Sequence, residues 1–302
     1  MVRFLVFELE NTLIKTTGDV FSNAREALRV FQGFKTDRGD NLPLCLLSAD
    51  STSWSGAGTG PFDRLVSRLE TLGLRNFFDP VGQRVTIGLE AGAQIVDKRL
   101  FEVVLLRSQA GARLDNGVFV SGMEDAVRAA RTMNIRTFQF SPEQTGNGDS
   151  FSDWTEAPLL VANLFEVAKM KNREVAVRFH LSARENLDVT SLRPTTRADT
   201  LEGTVNSWEP ISSETFKELD GVNVKLPVKI TVELDLSGRI RSLEQTRPLP
   251  EDQEEAKHFL ESLVRHGQVA TEDGPGLDTA THEISTDRQG KRYLVRKRFS
   301  AV

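Results

Sequence analysis

The chain has 302 residues, of which 39% are hydrophobic and 27% are charged, and its net charge is −5 at pH 7. This composition is typical of a soluble globular protein, and the acidic balance gives no reason to expect a nucleic acid or an anionic membrane as partner. No apolar stretch approaches the ~20 residues of a membrane span or forms the core of a signal peptide, so a cytoplasmic protein is expected. The single Cys45 excludes an intrachain disulfide, and its apolar neighbours predict a buried structural thiol.

The first 140 residues alternate short apolar runs with amphipathic stretches. In "PFDRLVSRLETLGL", for example, Leu65, Leu69 and Leu72 share one face of a predicted helix that ends at Gly73. Strands that are apolar throughout and alternate with helices predict an α/β fold, with a parallel sheet covered by helices on both faces. The predicted strands are Arg3–Phe7, Pro43–Ser48, Arg84–Gly88, Gly117–Ser121 and Ile135–Phe140.

The next segment ends this first predicted domain. Residues 141–156 are polar and rich in glycine, which predicts a loop. "APLLVANLFEVAKM" then predicts its last helix, and the domain is predicted to cover residues 1–168. Because the length favours more than one core, a second domain is expected after it.

From residue 173 the pattern changes to a second predicted domain, residues 173–302. "EVAVRFHL" and "VKITVEL" alternate apolar and polar residues, which predicts half-buried antiparallel strands. Two hairpins are predicted, one turning at Asp235–Gly238 and one at Asp287–Gly290; both read strand, Asp-x-x-Gly, basic residue, strand. Between them, "PEDQEEAKHFLESLVRHG" predicts a helix with an acidic first turn. The second domain is therefore predicted to be an α+β unit of hairpins and a helix.

Polar side chains follow the predicted parallel strands where each strand ends, and ligands bind such sheets at that edge. In chain order, "FELENTL" follows the first strand, Ser48 ends the second, Lys98 precedes a helix, and "GVFVSGMEDAVRAARTMNIRTFQF" contains the fourth. These four pieces resemble, in order, the motifs of the haloacid-dehalogenase superfamily, over roughly residues 1–168. The resemblance implies a Rossmann-like α/β fold in that region.

The resemblance also assigns roles to individual residues. Glu8 matches the position of the family's nucleophilic Asp, and Glu10 matches its general acid and base. Ser48 matches the hydroxyl that holds the transferring phosphoryl group, and Lys98 matches the lysine that neutralises it. In that chemistry a carboxylate forms an acyl-phosphate, while lysine and Mg²⁺ absorb negative charge.

Two departures from the family pattern bear on activity. Glu8 and Glu10 each carry one methylene more than Asp, which displaces a carboxylate by on the order of 1 Å and can cost roughly 10²-fold in rate. Ser121-Gly122 stands where the family has Gly-Asp, so that loop lacks its metal-binding carboxylate. If the loop is reshaped, Glu124 and Asp125 are the acids that would join Glu8 and Glu10 around Mg²⁺.

Three functional hypotheses follow. The favoured one is a haloacid-dehalogenase-like protein with a degenerate active site, catalytically impaired or non-enzymatic, that acts by binding a protein partner or a small anionic ligand and needs no cofactor. The second is a Mg²⁺-dependent phosphohydrolase that uses Glu8 at the nucleophile position. In the third, the second domain is the functional binding module and the first is a scaffold.

Overall fold

The computed structural model describes residues 1–48, 60–88, 97–108, 113–143, 146, 148–197, 199–213, 215–270 and 280–297. By the density of its internal contacts the chain divides into two compact units. The first comprises Met1–Glu185 with Leu234–Ile240, and the second comprises Asn186–Glu233 with Arg241–Val302. Among the described residues, no helix combines the length and the apolar character needed to cross a lipid bilayer.

The first unit is built on a six-stranded parallel sheet. Its strands lie in the order β3-β2-β1-β4-β5-β6, so the N-terminal strand is in the middle. Every residue of β1, β2 and β4 is buried, which explains why their sequences are apolar without alternation. The strands are β1 (Phe4–Glu8), β2 (Leu44–Ser48), β3 (Val85–Ile87), β4 (Gly117–Ser121), β5 (Arg136–Phe140) and β6 (Ser150–Phe151).

Helices cover both faces of this sheet, as the sequence predicts. Phe4 and Val6 of β1 belong to one buried cluster with residues of α4 and α5. Phe7 points to the opposite face, where its ring centroid lies 5.5 Å from that of Phe31 on α1 and 6.1 Å from that of Trp154. The helices of the described part of this unit are α1 (Ala24–Gly33), α2 (Pro61–Thr71), α3 (Val81–Arg84), α4 (Lys98–Ser108), α5 (Glu124–Thr132), α6 (Ala157–Ala162) and α7 (Lys169–Ala183).

The strand predicted from "EVAVRFHL" is wrong, because these residues lie within α7. Its buried residues, Asn172, Arg173, Ala176, Val177, His180 and Leu181, recur with the spacing of a helix face. An eight-residue run that also alternates cannot be assigned from periodicity alone. The single helix predicted after residue 156 is instead the pair α6 and α7. The first unit consequently continues to Glu185, beyond the predicted limit at residue 168.

The second unit contains a mixed sheet and one long helix, and both predicted hairpins are present in the chain. The sheet order is β11-β12-β13-β9-β8-β7, and β10 also pairs with β9. The alternating burial of β9 confirms the predicted half-buried strand. The antiparallel pair β7 and β8 was not predicted from the sequence. The elements are β7 (Asp188–Pro194), β8 (Thr200–Ile211), β9 (Val222–Leu234), β10 (Ile240–Gln245), α8 (Pro250–Arg265), β11 (Val269–Ala270), β12 (His282–Thr286) and β13 (Arg292–Arg296).

The two Asp-x-x-Gly segments form the same kind of turn. Asp235 Oδ1 accepts hydrogen bonds from the backbone N–H groups of Ser237 and Arg239, at 2.8 and 2.9 Å. Asp287 Oδ1 accepts from the equivalent N–H groups two and four residues on, also at 2.8 and 2.9 Å. Gly238 and Gly290 have φ angles of 94° and 80°, a region that glycine adopts without steric cost. The repeated Asp-x-x-Gly pattern in the sequence therefore reflects the same type of hydrogen-bonded turn.

Candidate functional site

Three adjacent strands bring the predicted polar residues to one edge of the first sheet. β1 pairs with β2 on one side and with β4 on the other, and all three run parallel. Their last residues, Glu8, Ser48 and Ser121, therefore lie at the same edge. Each of the three is fully buried.

Glu8 is held by hydroxyl groups. The Ser121 hydroxyl donates a hydrogen bond to Glu8 Oε2 and accepts one from the backbone N–H of Met123 at 2.9 Å. The Thr12 hydroxyl lies 3.5 Å from the same carboxyl oxygen and accepts a 2.7 Å hydrogen bond from the backbone N–H of Gly122. The other carboxyl oxygen, Glu8 Oε1, is buried and has no hydrogen-bond partner in the part of the chain that the structure describes. These contacts fasten the loop after β1 to the loop after β4 through one carboxyl group.

Burial raises the pKa of Glu8 from 4.5 to about 7, against the opposing effect of the Ser121 hydrogen bond. The nearby Glu10 carboxylate raises this pKa further, and the Thr12 and Met123 hydrogen bonds lower it. Among the described residues, no cation contributes to the shift. A substantial fraction of Glu8 is therefore protonated, and neutral, at pH 7.

Glu10 lies beside Ser48 at the same edge. The Ser48 hydroxyl donates a 2.7 Å hydrogen bond to Glu10 Oε1. The two residues that the family resemblance assigns to proton transfer and phosphoryl binding are thus brought together. In this arrangement the serine hydrogen atom is directed at a carboxylate of the protein itself.

Gly122 is in close contact with the loop after β1. A Cβ atom at Gly122 would lie 2.0 Å from the backbone carbonyl oxygen of Asn11, a distance that only a backbone movement can relieve. Asn11 adopts a φ angle of 54°, which directs this tight turn. The position where the family carries its metal-binding Asp therefore has no space for any side chain as the loops are folded.

The remaining predicted residues are not brought to Glu8. Lys98 begins α4, its side chain is 65% exposed, and its Nζ lies 3.3 Å from Glu102 Oε1 on the same helix. Glu124 and Asp125 begin α5 with side chains that are 73% and 77% exposed, and both lie within ion-pair distance of Arg128. These are solvated ion pairs of the kind common on helix surfaces.

The described residues do not fit a magnesium ion in this arrangement. They contain no group of three or more His, Cys, Asp or Glu side chains that could hold a metal, so the predicted set of Glu8, Glu10, Glu124 and Asp125 is not assembled. Mg²⁺ keeps several water molecules in an octahedral shell, whereas Glu8 has no solvent exposure. Glu8 Oε1, which has no hydrogen-bond partner among these residues, is an atom that an added ligand would satisfy.

Sequence reasoning missed the role of Ser121, which it treated only as a departure from the family pattern. The structure makes Ser121 the principal hydrogen-bond donor to Glu8. The sequence did contain a signal for this contact: the predicted parallel strands β1 and β4 end in an acid and in a hydroxyl residue, which are therefore expected at the same edge of the sheet. The prediction for Cys45 is confirmed, since the residue is buried and burial raises the pKa of its thiol to about 11.

No protein-family model matches the chain, and no curated protein sequence matches it. Solved structures do match about half of it. The magnesium-bound HAD-type protein YfnB from Bacillus subtilis matches with 14% identity and a TM-score of 0.35, over 46% of this chain and 55% of that chain. L-2-haloacid dehalogenase from Xanthobacter autotrophicus matches with 12% identity and a TM-score of 0.36, over 48% of this chain and 80% of that one.

A third match is a conserved haloacid dehalogenase-like protein of unknown function from Agrobacterium tumefaciens, with 19% identity, a TM-score of 0.33, and coverage of 48% of this chain and 60% of that chain. The chain thus spans less than two thirds of the length of two of these three proteins. Matches at these identities and TM-scores carry no information on the activity of this chain. With its parallel strand order β3-β2-β1-β4-β5-β6 and helices on both faces, the first unit has a Rossmann-like α/β fold.

Proposed function

We propose that the first unit is a non-catalytic haloacid-dehalogenase-like domain, in which Glu8 is a structural acid and not a nucleophile, and that the protein acts by binding a partner. The observation that carries this proposal is the state of Glu8: fully buried, hydrogen-bonded to Ser121, and with a pKa raised to about 7. A carboxylate nucleophile has to be ionised and has to reach the phosphorus atom.

The surroundings of Glu8 support the same conclusion. A protonated glutamic acid has lost the charge with which it would attack, and a carboxyl group with no exposed surface cannot touch a substrate. Glu10 accepts the Ser48 hydrogen bond, so the proposed acid and the proposed phosphate-binding hydroxyl satisfy each other. The loop that would supply a metal ligand packs its glycine against the Asn11 carbonyl group.

The second candidate is the Mg²⁺-dependent phosphohydrolase that uses Glu8. Two observations favour it: Glu8 Oε1 has no hydrogen-bond partner within the described ranges, and Glu10 and Ser48 are at the same sheet edge. Segments 49–59 and 89–96, which follow β2 and β3, lie outside the described residues. This candidate requires Glu8 to become ionised and exposed when substrate and metal bind.

A comparison of three proteins tests the proposal: the wild type, Glu8→Gln, and Glu26→Gln. Glu26 is a matched control because its side chain is 48% exposed on α1, where it pairs with Arg29. We expect none of the three to hydrolyse p-nitrophenyl phosphate above the buffer rate, with or without 5 to 10 mM Mg²⁺. Turnover that requires Mg²⁺ and disappears only in Glu8→Gln would establish the phosphohydrolase instead.

Metal binding provides a readout that does not depend on having the right substrate. If Glu8 is a structural acid, Mg²⁺ should change the melting temperature of the wild type and of Glu8→Gln by the same small amount. A rise in melting temperature that occurs in the wild type and in Glu26→Gln, but is lost in Glu8→Gln, would contradict the proposal.

A further inference from the structure

A cleft in the second unit lies between α8 and the side chains of β9, β12 and β13 that face this helix. Val224 of β9 belongs to the same buried cluster as Leu260 of α8, so its side chain is on the helix side of the sheet. Leu294 of β13 packs against that cluster. The ring centroid of Phe259 on α8 lies 6.2 Å from that of His282 on β12. Three strands therefore direct side chains towards one side of α8.

Arg296 lies on the same side of the sheet as His282. The two residues are directly opposite each other in the antiparallel pair of β12 and β13. Side chains in such a position share one face of the sheet, with Cβ atoms about 4.5–5.5 Å apart. Burial, followed by the Arg296 charge, lowers the pKa of His282, which agrees with a guanidinium close to the ring. Two basic side chains thus stand together at one end of the cleft.

The cleft is one part of a cavity of about 450 Å³ that is lined from both faces of the sheet. Trp208 and Lys225 are opposite each other in β8 and β9, and Lys225 follows the inward-facing Val224, so both side chains point away from α8. The residues that line the helix side are Val224, Ala256, Phe259, His282, Leu294 and Arg296. The space on the helix side is consequently smaller than the whole cavity, which suits a small molecule and not a segment of a folded partner.

Most of the helix side is apolar. Val224, Ala256 and Leu294 supply aliphatic surface between the helix and the strands. The side chain of Phe259 is 53% exposed beside them. An aromatic ring with this exposure is removed from water when a flat apolar group packs against it, and burial of apolar surface is favourable. The cleft is therefore suited to a ligand with an apolar body.

Hydrogen-bond donors stand at the end formed by Arg296 and His282. Among the described residues, no carboxylate lies within ion-pair distance of the exposed Arg296 guanidinium. His282 Nδ1 lies 2.8 Å from the Thr281 hydroxyl oxygen. When Nδ1 accepts that hydrogen bond, Nε2 carries the proton of the neutral ring and is a further donor. A guanidinium presents paired N–H groups whose geometry matches a carboxylate, so this end is suited to a carboxylate group.

We propose that this cleft binds a small organic acid, with its carboxylate on Arg296 and His282 and a flat apolar body against Phe259. The ion pair with Arg296 would select for negative charge, and the apolar walls would select for a hydrocarbon body. An inorganic anion would gain only the first contribution and a neutral aromatic compound only the second. The proposal does not depend on whether Glu8 is catalytic, so it and the proposed function can fail separately.

A titration of the full-length protein, followed by ligand-observed NMR, tests the proposal with three probes: 2-naphthoate, its neutral amide 2-naphthamide, and acetate. We expect 2-naphthoate to bind at least tenfold more tightly than either of the others, because the amide lacks the charge and acetate lacks the apolar body. Its affinity should fall as salt is added, since salt screens an ion pair with an exposed arginine. No binding of 2-naphthoate, or equally tight binding of either other probe, would overturn the proposal.

Two variants with matched controls locate the site. Arg296→Gln and Phe259→Ala change exposed side chains, so both proteins are expected to fold, and each should bind 2-naphthoate at least fivefold more weakly. Arg247→Gln and Leu249→Ala change an exposed arginine and a hydrophobic residue of 54% exposure in the same unit but outside the cleft, and should leave the affinity unchanged. An affinity that is the same in all four variants would place the acid elsewhere and overturn the proposal.

A fifth variant distinguishes the two faces of the sheet. Lys225→Gln removes the cation that lies on the face away from α8, and it should change the affinity for 2-naphthoate less than twofold. If Lys225→Gln weakens binding and Arg296→Gln does not, the acid binds on the other face and the proposal is wrong.

Two other occupants would be recognised by related measurements. If inorganic phosphate competes with 2-naphthoate and binds more tightly, the cleft is an inorganic anion site. If the protein self-associates in sedimentation and Phe259→Ala abolishes this, the cleft belongs to a second copy of the chain. Either result overturns the proposal of an organic acid.

Discussion

Replacing Glu8 by Gln should make the first unit less sensitive to pH. The pKa of Glu8 is 4.5 in the unfolded chain and about 7 in the folded one. Below pH 4.5 both states hold the proton. Between pH 4.5 and 7 the unfolded chain releases it while the folded protein retains it, so the free energy of unfolding falls as pH rises through this window. Stability that is present below pH 4.5 is lost above pH 7.

The size of the effect follows from the two pKa values. One pKa unit corresponds to about 1.4 kcal/mol, so the full loss across the window is about 3 kcal/mol, most of which falls between pH 5 and 8. Glutamine cannot titrate, so the stability difference between Glu8→Gln and wild type should move by that amount in favour of the variant. A constant cost for the unpaired amide, about 1–3 kcal/mol, shifts the whole curve without changing its slope.

Urea unfolding at pH 5, 6, 7 and 8 measures this difference. Trp154 is 1% exposed and its ring lies 6.1 Å from that of Phe7, so its emission reports on the core next to Glu8. Glu26→Gln serves as the exposed control and should differ from wild type by the same amount at every pH. If the difference between Glu8→Gln and wild type is also constant from pH 5 to 8, Glu8 does not titrate with a raised pKa and the reasoning from burial is refuted.

Three further predictions concern backbone fit and burial. Gly122→Ala should destabilise the first unit by about 1–3 kcal/mol in urea unfolding, because its Cβ would meet the Asn11 carbonyl oxygen at 2.0 Å; unchanged stability would show that the two loops move apart easily. Gly238→Ala should cost more than Gly290→Ala. Both have positive φ angles, but a Cβ at Gly238 would lie 2.8 Å from Leu159 O, whereas one at Gly290 would meet no atom of the described residues within 4 Å. Similar amide exchange in the two mutated turns would contradict this prediction. Cys45 should resist iodoacetamide at pH 8 until the protein is unfolded, and rapid labelling of the native protein, seen by mass spectrometry, would argue against a buried thiol.

The elements with a clear pattern of apolar residues were predictable from the sequence. The buried strands β1, β2 and β4 and the alternating strand β9 follow directly from their residue patterns. The turns at Asp235 and Asp287 follow from local hydrogen bonding by a short acidic side chain. The apolar residues of segment 174–181 in α7 fit both the period of a helix and the period of a strand. Their local pattern therefore predicted a strand where the structure has a helix.

The positions of the candidate site residues were likewise predictable only in part. The sequence placed Glu8, Ser48 and Ser121 at one edge of a parallel sheet, because strand ends in such a sheet meet at one edge. It could not show that Lys98, Glu124 and Asp125 form ion pairs on their own helices, because a helix start next to a site and one facing solvent have the same local sequence. Only the fold shows which way these side chains point.

The sequence by itself determined that residues near the N-terminus form a parallel sheet with acids at its carboxyl edge, because periodicity and strand-end chemistry are local properties. The protonation of Glu8 was decided by the tertiary structure, since it depends on burial and on a hydroxyl group 113 residues away. The pairing of β9 with β13 was decided in the same way, because it joins segments about 70 residues apart in the chain. Contacts between distant residues set the electrostatics on which the function of the site depends.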